Sequence, residues 1–348
     1  MASHKTILVT GAAGFIGSHL AIHLTTHFPH YNIIAFDKMD YCSSLRLLEP
    51  LLERPNFCFV KGDITSPDFV SYILVDKKVD IIMHLAAQSH VDNSFGDSFE
   101  FTKNNIMGTH VLLEASRKYG KIERFIHVST DEVYGAIDRS EPDSRENSIL
   151  EPSNPYSATK AAAECLVKAY FKSFHTPVIV TRSNNVYGPS QYPEKVIPKF
   201  ICALMKGRKL PIHGNGSNSR HYLYVTDTVQ ALTTILELGQ IGETYNIGSE
   251  FEISNLRLAK YLIRQCGIAS DEAEAEKWLE FVEDRAFNDM RYAIDSAKLK
   301  SLGWSPQVTF EDGIQRTIDW YRHNLDTWWD EDISAALVAH PLRKLPNA

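Results

Sequence analysis

Thr10-Gly11-Ala12-Ala13-Gly14-Phe15-Ile16-Gly17 is the stretch on which the reading of this chain turns. Its three glycines follow the apolar run at 6–10 and lead into an amphipathic segment at 16–27. A GxxGxxG spacing between a strand and a helix suits a phosphate-binding turn: Gly11 turns tightly, Gly14 lets the backbone approach a pyrophosphate, and Gly17 lets helix and strand pack closely. The first helical turn, with Phe15 and Ile16, then presents free N–H groups to the phosphates. Alone, the glycine pattern is common in ordinary turns. Its context gives it weight, because Asp37 closes the next β-rich run twenty residues after Gly17. A carboxylate there accepts from both ribose hydroxyls and repels a 2′-phosphate, so NAD is expected rather than NADP. The competing reading of Asp37 is a turn cap. Asp63, in Gly62-Asp63-Ile64 after the third run, is either an adenine contact or a turn residue.

Outward from this stretch the rhythm repeats. Short, continuous apolar runs at 6–10, 33–37, 57–61, 80–84, 124–129 and 178–181 alternate with helical patterns such as 16–27 and 105–118. Runs apolar throughout are strands buried on both faces. Their alternation with helices predicts a doubly wound parallel α/β sheet, the Rossmann arrangement, over residues 1–185. Beyond that, Pro and Gly become more frequent, and 186–329 reads as a smaller substrate-binding region with some chain returning to the sheet. Residues 330–348 read as a C-terminal tail after an aromatic helix that ends near Trp328-Trp329.

Bulk properties narrow the classes. The 348 residues suffice for one large or two modest domains. A net charge of −7 with both signs interspersed gives no support to nucleic-acid or membrane-surface binding. No apolar run reaches the length of a membrane span, and the N-terminus lacks the pattern of a signal peptide. Five scattered cysteines without CxxC spacing read as reduced thiols in a cytoplasmic compartment. The fourteen histidines form no HExxH, so no metal site is expected.

Two motifs carry chemistry. Tyr156-Ser157-Ala158-Thr159-Lys160 sets Tyr156 and Lys160 on one helix face, after a Pro155 that suits a helix start. An adjacent ammonium favours the phenolate, which equips Tyr156 to exchange a proton with a sugar hydroxyl during hydride transfer. Ser129-Thr130-Asp131-Glu132-Val133-Tyr134-Gly135 ends the fifth run, where open α/β sheets place ligands. Two adjacent carboxylates there divide acid and base roles when their surroundings separate their pKa values. A lone Asp-Glu in a loop would instead be a solvated turn.

Together these motifs resemble the extended short-chain dehydrogenase/reductase family, and within it the nucleotide-sugar 4,6-dehydratases. The resemblance runs from Lys5 to Tyr321. Thr130-Asp131-Glu132 is its discriminating piece, since related 4-epimerases keep the Tyr and Lys without it. Leu85-Ala86-Ala87-Gln88-Ser89-His90-Val91-Asp92, Asn184-Asn185-Val186-Tyr187-Gly188-Pro189, Pro193-Glu194-Lys195-Val196-Ile197-Pro198 and Arg220-His221-Tyr222-Leu223-Tyr224-Val225 also match. The resemblance implies that Tyr156 takes the proton of the glucose 4-hydroxyl, Thr130 holds that oxygen, Glu132 removes the C5 proton and Asp131 protonates the departing 6-hydroxyl. It implies a bound NAD contacted also by Lys38, Ile64, Leu85, Ala86, Ala87 and Asn104. It places Ser89, Asn185, Glu194, Lys195, Arg220, Arg285 and Asn288 on the sugar and diphosphate, with Pro211-Ile212-His213 along the base, and it implies a homodimer. Bacterial dTDP-glucose enzymes commonly carry a His where Asn288 stands. Asn288, Gln88 and Asn104 here resemble instead the eukaryotic UDP-glucose dehydratases of rhamnose synthesis. UDP-glucose is therefore the preferred substrate, dTDP-glucose the alternative. A UDP-sugar 4-epimerase and a non-catalytic NAD-binding regulator are the rival functions.

Overall fold

The computed structural model describes residues 4–284, 288–329 and 332–338. Seven strands form the central sheet: β1 (Lys5–Thr10), β2 (Tyr31–Asp37), β3 (Phe57–Lys61), β4 (Ile81–His84), β5 (Arg124–Thr130), β6 (Val178–Ser183) and β10 (Thr244–Ile247). Their order is β10-β6-β5-β4-β1-β2-β3, with every pair parallel. The expected doubly wound α/β sheet is thus present, and its strand order reverses between β1 and β4. Five further strands, β7 (Asn185–Tyr187), β8 (Leu210–His213), β9 (Ser219–Tyr224), β11 (Glu252–Ser254) and β12 (Leu279–Val282), make two small sheets, β11-β9-β7 and β12-β8.

Burial explains why the runs carry no polar alternation. Along β1, Ile7 and Val9 face one helical layer while Leu8 faces the other, so every position is covered. On the first face Leu20 and Leu24 of the helix Phe15–His27 pack with Leu232 and Ile235 of Val225–Leu238. On the second, Ile73 and Leu74 of Pro67–Asp76 meet Leu112 and Leu113 of Gly108–Tyr119 and Val167 of Pro155–Phe174. A further core joins Ile201, Leu210, Leu258, Leu262, Ile314 and Tyr321 around the helices Val196–Met205, Asn255–Gln265 and Phe310–Asn324.

A buried ion pair fixes the elements that carry the site. Arg182 on β6 and Glu164 on the helix Pro155–Phe174 are both fully buried. The guanidinium donates Nε to Oε1 at 3.0 Å and Nη2 to Oε2 at 2.6 Å, and Nη1 reaches the Tyr134 hydroxyl at 2.6 Å. Tyr134 in turn donates to Asn246 on β10 at 2.8 Å. The loop after β5 is thereby tied to β6, β10 and one helix.

Two helical boundaries differ from the sequence reading. The helix expected from 105 starts inside a π-helical turn, Thr102–Met107, where Asn105 leaves the regular pattern. Its carboxamide accepts from Gln88 N at 2.7 Å and donates to Thr159 Oγ1 at 3.0 Å. The aromatic helix ends at Asn324, before Trp328. Residues 332–338 of the expected tail contain a short turn, Ile333–Ala335, with Ile333 and Leu337 buried in the third core. The remaining tail residues, 330–331 and 339–348, lie outside the described residues. Among the described residues no helix is long and apolar enough to cross a membrane.

Candidate active site

One cleft of about 410 Å³ opens at the carboxyl ends of the central strands, above the point where the strand order reverses. Gly11, Gly14 and Gly17 form its floor. Gly11 has φ +70, and a Cβ there would lie 2.8 Å from the Ala86 backbone. A Cβ on Gly17 would stand 2.1 Å from the Gly11 carbonyl oxygen, which no side chain can accommodate. These contacts draw the start of the helix Phe15–His27 against β1 and leave its first amides, at Phe15, Ile16 and Gly17, on the cleft wall. Asp37 lines the same cleft and is 6% exposed. It accepts from Ala13 N at 2.9 Å, Met39 N at 2.7 Å and Ser43 Oγ at 3.1 Å. Two carboxylate oxygens offer about four lone pairs, so one direction stays open toward the cleft. A side-chain-free cradle beside a helix start, with a carboxylate at the next strand end, fits a dinucleotide without a 2′-phosphate. Lys38 would be the cation for such a phosphate, but its Nζ is 3.0 Å from Asp40 Oδ2 and 3.5 Å from Glu100 Oε1.

Ile64, Leu85, Ala86, Ala87 and Asn104 line the cleft alongside. Asp63 does not. Its Oδ1 accepts from Thr65 N and Thr65 Oγ1, both at 2.8 Å. The far wall gathers Ser89, Asn185, Glu194, Lys195, Pro211, Ile212, His213, Arg220 and Asn288. Arg285 lies outside the described residues. Lys195 Nζ donates to Ser89 O at 2.5 Å. Arg220 donates Nη1 to Asp289 O at 2.9 Å and lies 4.7 Å over the Tyr292 ring. Asn288 donates to Asp284 Oδ1 at 2.9 Å.

Between these walls Thr130, Glu132, Tyr156 and Lys160 line the cleft. Asn154 caps the helix Pro155–Phe174 through a capping box, which turns Tyr156 and Lys160 inward from its first turns. The Tyr156 phenol is raised above its ordinary value by burial and by the charges of Glu132 and Asp131, while a hydrogen bond with Thr130 draws it down. Lys160 points its Nζ at the Val128 carbonyl oxygen, 2.7 Å away, and burial lowers its pKa to about 8. At about 8 the amine still carries its charge at neutral pH, and the hydrogen bond with Thr130 also favours the phenolate.

The two carboxylates are inequivalent. Asp131 is 3% exposed and sits behind the cleft wall, accepting from Asn184 Nδ2 at 2.7 Å and from Thr130 Oγ1 at 3.2 Å. Burial, then the charge of Glu132, pushes its pKa up to about 7. Glu132 faces the cleft, and Asn154 Nδ2 donates to its Oε2 at 3.2 Å. Burial raises it too, but Arg220 and Lys195 oppose that shift. Both carboxylates are thus raised by burial, but their surroundings differ: Asp131 is paired with Asn184 and Thr130 behind the wall, whereas Glu132 faces the cleft under the charges of Arg220 and Lys195, the kind of difference that lets neighbouring acids divide roles.

The family model described as GDP-mannose 4,6 dehydratase matches residues 8–317. The chain belongs to this family. Within it, a dTDP-D-glucose 4,6-dehydratase of Bos taurus is 50% identical over 97% of this chain and 94% of its own length. The trifunctional UDP-glucose 4,6-dehydratase/UDP-4-keto-6-deoxy-D-glucose 3,5-epimerase/UDP-4-keto-L-rhamnose-reductase RHM2 of Arabidopsis thaliana is 54% identical over 97% of this chain, which spans half the length of that protein. Among solved structures, the dTDP-glucose 4,6-dehydratase DesIV of Streptomyces venezuelae, crystallised with NAD and TYD, superposes with a TM-score of 0.88 at 39% identity, covering 94% of this chain and 99% of that one.

Asn154 and Asn184 were not singled out from the sequence as site residues. An Asn before Pro155 is an N-cap signal, and Asn184 stands in a quoted motif, so both left a trace. Asp289, which accepts from Ser153 Oγ at 2.5 Å and from the Tyr292 hydroxyl, was likewise not singled out, although it adjoins Asn288.

Proposed function

We propose that this chain is an NAD-dependent nucleoside-diphosphate-glucose 4,6-dehydratase that prefers UDP-glucose. The observation that carries this reading is the Asp131–Glu132 pair, differently surrounded and set beside Tyr156 and Thr130 at the end of β5. What NAD supplies when bound is a reversible hydride store, filled from C4 of the sugar and emptied onto C6. Tyr156, in the phenolate form that the Thr130 hydroxyl favours, takes the proton of the 4-hydroxyl and becomes the neutral phenol. The resulting C4 ketone acidifies the C5 proton, which Glu132 removes. Asp131 delivers its proton to the departing 6-hydroxyl, which leaves as water, and exchanges its Asn184 partner for the sugar to do so. Glu132 then returns its proton to C5, which leaves a 4-keto-6-deoxy sugar. Elimination needs an acid and a base together; an epimerase has no use for the pair.

Lys195 and Arg220 hold the diphosphate by charge-assisted hydrogen bonds. Glu194, Asn185 and Ser89 position the sugar, while Pro211, Ile212 and His213 flank the base. The preference for UDP rests on Asn288 and on identities of 54–55% to the plant UDP-glucose relatives against 49–50% to mammalian dTDP-glucose relatives. Discrimination of one base methyl amounts to roughly 1–3 kcal/mol. The enzyme works as a cytoplasmic homodimer, joined through the helices Gly108–Tyr119 and Pro155–Phe174. Phe174 and Met107 are exposed beside that surface, and all five cysteines are unpaired.

The test is incubation with UDP-glucose and dTDP-glucose side by side, followed by product mass. Loss of one water, faster with UDP-glucose, is expected. A product of unchanged mass would make the chain a 4-epimerase, the activity named for the Thermotoga maritima UDP-glucose 4-epimerase that superposes at TM-score 0.83 and 31% identity. Dehydration near the unmodified rate by Asp131→Asn/Glu132→Gln would overturn the assigned roles.

A further inference from the structure

β1 lies between β4 and β2 in the sheet. The glycine turn after β1 is therefore flanked by the loop after β4 on one side and the loop after β2 on the other. These two loops are joined. Gln88, four residues past β4, donates Nε2 to Oδ2 of Asp40, three residues past β2, at 2.7 Å. Both residues line the cleft. Each end is anchored independently. Gln88 N donates to Asn105 Oδ1 at 2.7 Å and Asn105 Nδ2 donates back to Gln88 O at 3.0 Å, while Lys38 Nζ holds the same Asp40 oxygen at 3.0 Å. A second tie leaves the β2 loop at the next residue, where Tyr41 donates to Glu194 Oε2 at 2.6 Å and accepts from Asn93 Nδ2 at 3.1 Å.

We propose that Gln88 and Asp40 form a strap across the cofactor channel, under which the dinucleotide pyrophosphate is threaded, so that cofactor enters and leaves only when the strap opens. The inference rests on the dinucleotide reading of the glycine turn. A pyrophosphate on the first amides of Phe15–His27 lies over the end of β1, and the Gln88–Asp40 bond joins the loops on either side of it. The strap suits a reaction that regenerates its cofactor in every cycle, because nothing is gained by exchange. Gln88 and Asp40 are on this reading positioning residues, acting on access rather than on the reacting atoms.

A strap and an ordinary binding contact make opposite kinetic predictions. Loss of a contact raises the dissociation rate alone. Loss of a strap lowers the barrier in both directions, so dissociation and association both quicken and the affinity changes less than either. The experiment uses the NAD-loaded protein and its Gln88→Ala, Asp40→Ala and double variants. Released NAD is trapped by excess alcohol dehydrogenase and ethanol, and its reduced form is read by fluorescence. Association is followed by quenching of protein fluorescence when NAD is added to the stripped protein.

The bond has a charged acceptor, so about a tenfold rise in the dissociation rate is expected in each single variant. A rise of similar size is expected in association, and the double variant should add little to either single one. Asp40→Asn keeps an acceptor for Gln88 and should stay closer to the unmodified rate than Asp40→Ala. Unchanged rates in a protein that binds NAD would overturn the strap and leave the dehydratase reading intact, as would faster dissociation with unaltered association. A chain that binds no NAD at all would remove both.

Discussion

Replacing Asn184 by Ala should move the alkaline limb of the pH–rate profile upward. The amide of Asn184 stands 2.7 Å from Asp131 Oδ2 and holds the carboxylate form inside a buried site. Its hydrogen bond opposes the burial and the Glu132 charge that push Asp131 up to about 7. Asp131 acts as the acid, so the working form is the protonated one, and activity falls as pH rises through its pKa. Removing a donor to the ionised form raises that pKa further. A hydrogen bond to a charged group contributes roughly 1.5–3 kcal/mol, and about 1.36 kcal/mol corresponds to one pH unit. The limb should therefore rise by about one to two pH units. The assay is kcat/KM for 4-keto product formation, measured from pH 5 to 10. The limb reports the coupled Asp131–Glu132 pair rather than one residue. A 13C NMR titration of labelled Asp carboxyls supplies the assignment. There Asn184→Ala should move Asp131 up, and Glu132→Gln, which removes a like charge, should move it down. The variant also strips Ser249 N of its acceptor, at 3.0 Å, so its Tm will drop whatever the titration does. A limb that stays put or moves to lower pH would refute the assignment of Asp131 as the acid.

Three further outcomes follow from the same structure. Asp37→Ser removes the carboxylate that would meet the ribose hydroxyls; NAD affinity should fall by roughly 10- to 100-fold, the size of losing hydrogen bonds to a charged acceptor, with NADP binding less affected, as read by calorimetry. Arg182→Met should cost about 3–5 kcal/mol in denaturant unfolding because it takes the buried, hydrogen-bonded partner from Glu164 and leaves only the half-exposed Lys168 at 3.6 Å; Arg182→Met with Glu164→Leu should recover much of that loss, and equal instability of the two proteins would contradict the argument. Gly17→Ala should abolish NAD binding or folding, since its Cβ would lie 2.1 Å from Gly11 O; Gly120→Ala, at φ +68 but with open space around it, should cost only about 1 kcal/mol of stability, the strain of a left-handed position.

The elements themselves were legible in the residues because each strand is covered on both faces. An apolar run bounded by polar turns has one stable placement, inside a parallel sheet, and six such runs became β1 to β6. The glycine turn was equally legible, since only glycine tolerates the contact between Gly17 and Gly11. Tyr156, Lys160, Thr130 and Glu132 could be chosen because strand ends and a helix face are local properties, and the fold brings those ends to one cleft. What the linear pattern could not settle was the balance of forces around each group. Lys160 beside Tyr156 reads as a cation that favours the phenolate; what the sequence did not show is that burial lowers it to about 8 and that its Nζ donates to the Val128 carbonyl. Asp131 and Glu132 are adjacent and look alike in sequence. Only the tertiary structure sends one toward Asn184 behind the wall and the other toward Asn154, Arg220 and Lys195. For Asp63, divided between two readings, the structure adds that its Oδ1 closes a turn on Thr65. The tie between Gln88 and Asp40, forty-eight positions apart, depends on strand order and leaves no periodicity to read. Sequence alone determined which segments are strands and helices and where phosphate can lie, because those follow from local sterics and burial. Protonation and long-range pairing were decided by the tertiary structure, since both depend on how far each charge is removed from water and on which distant group the fold sets beside it.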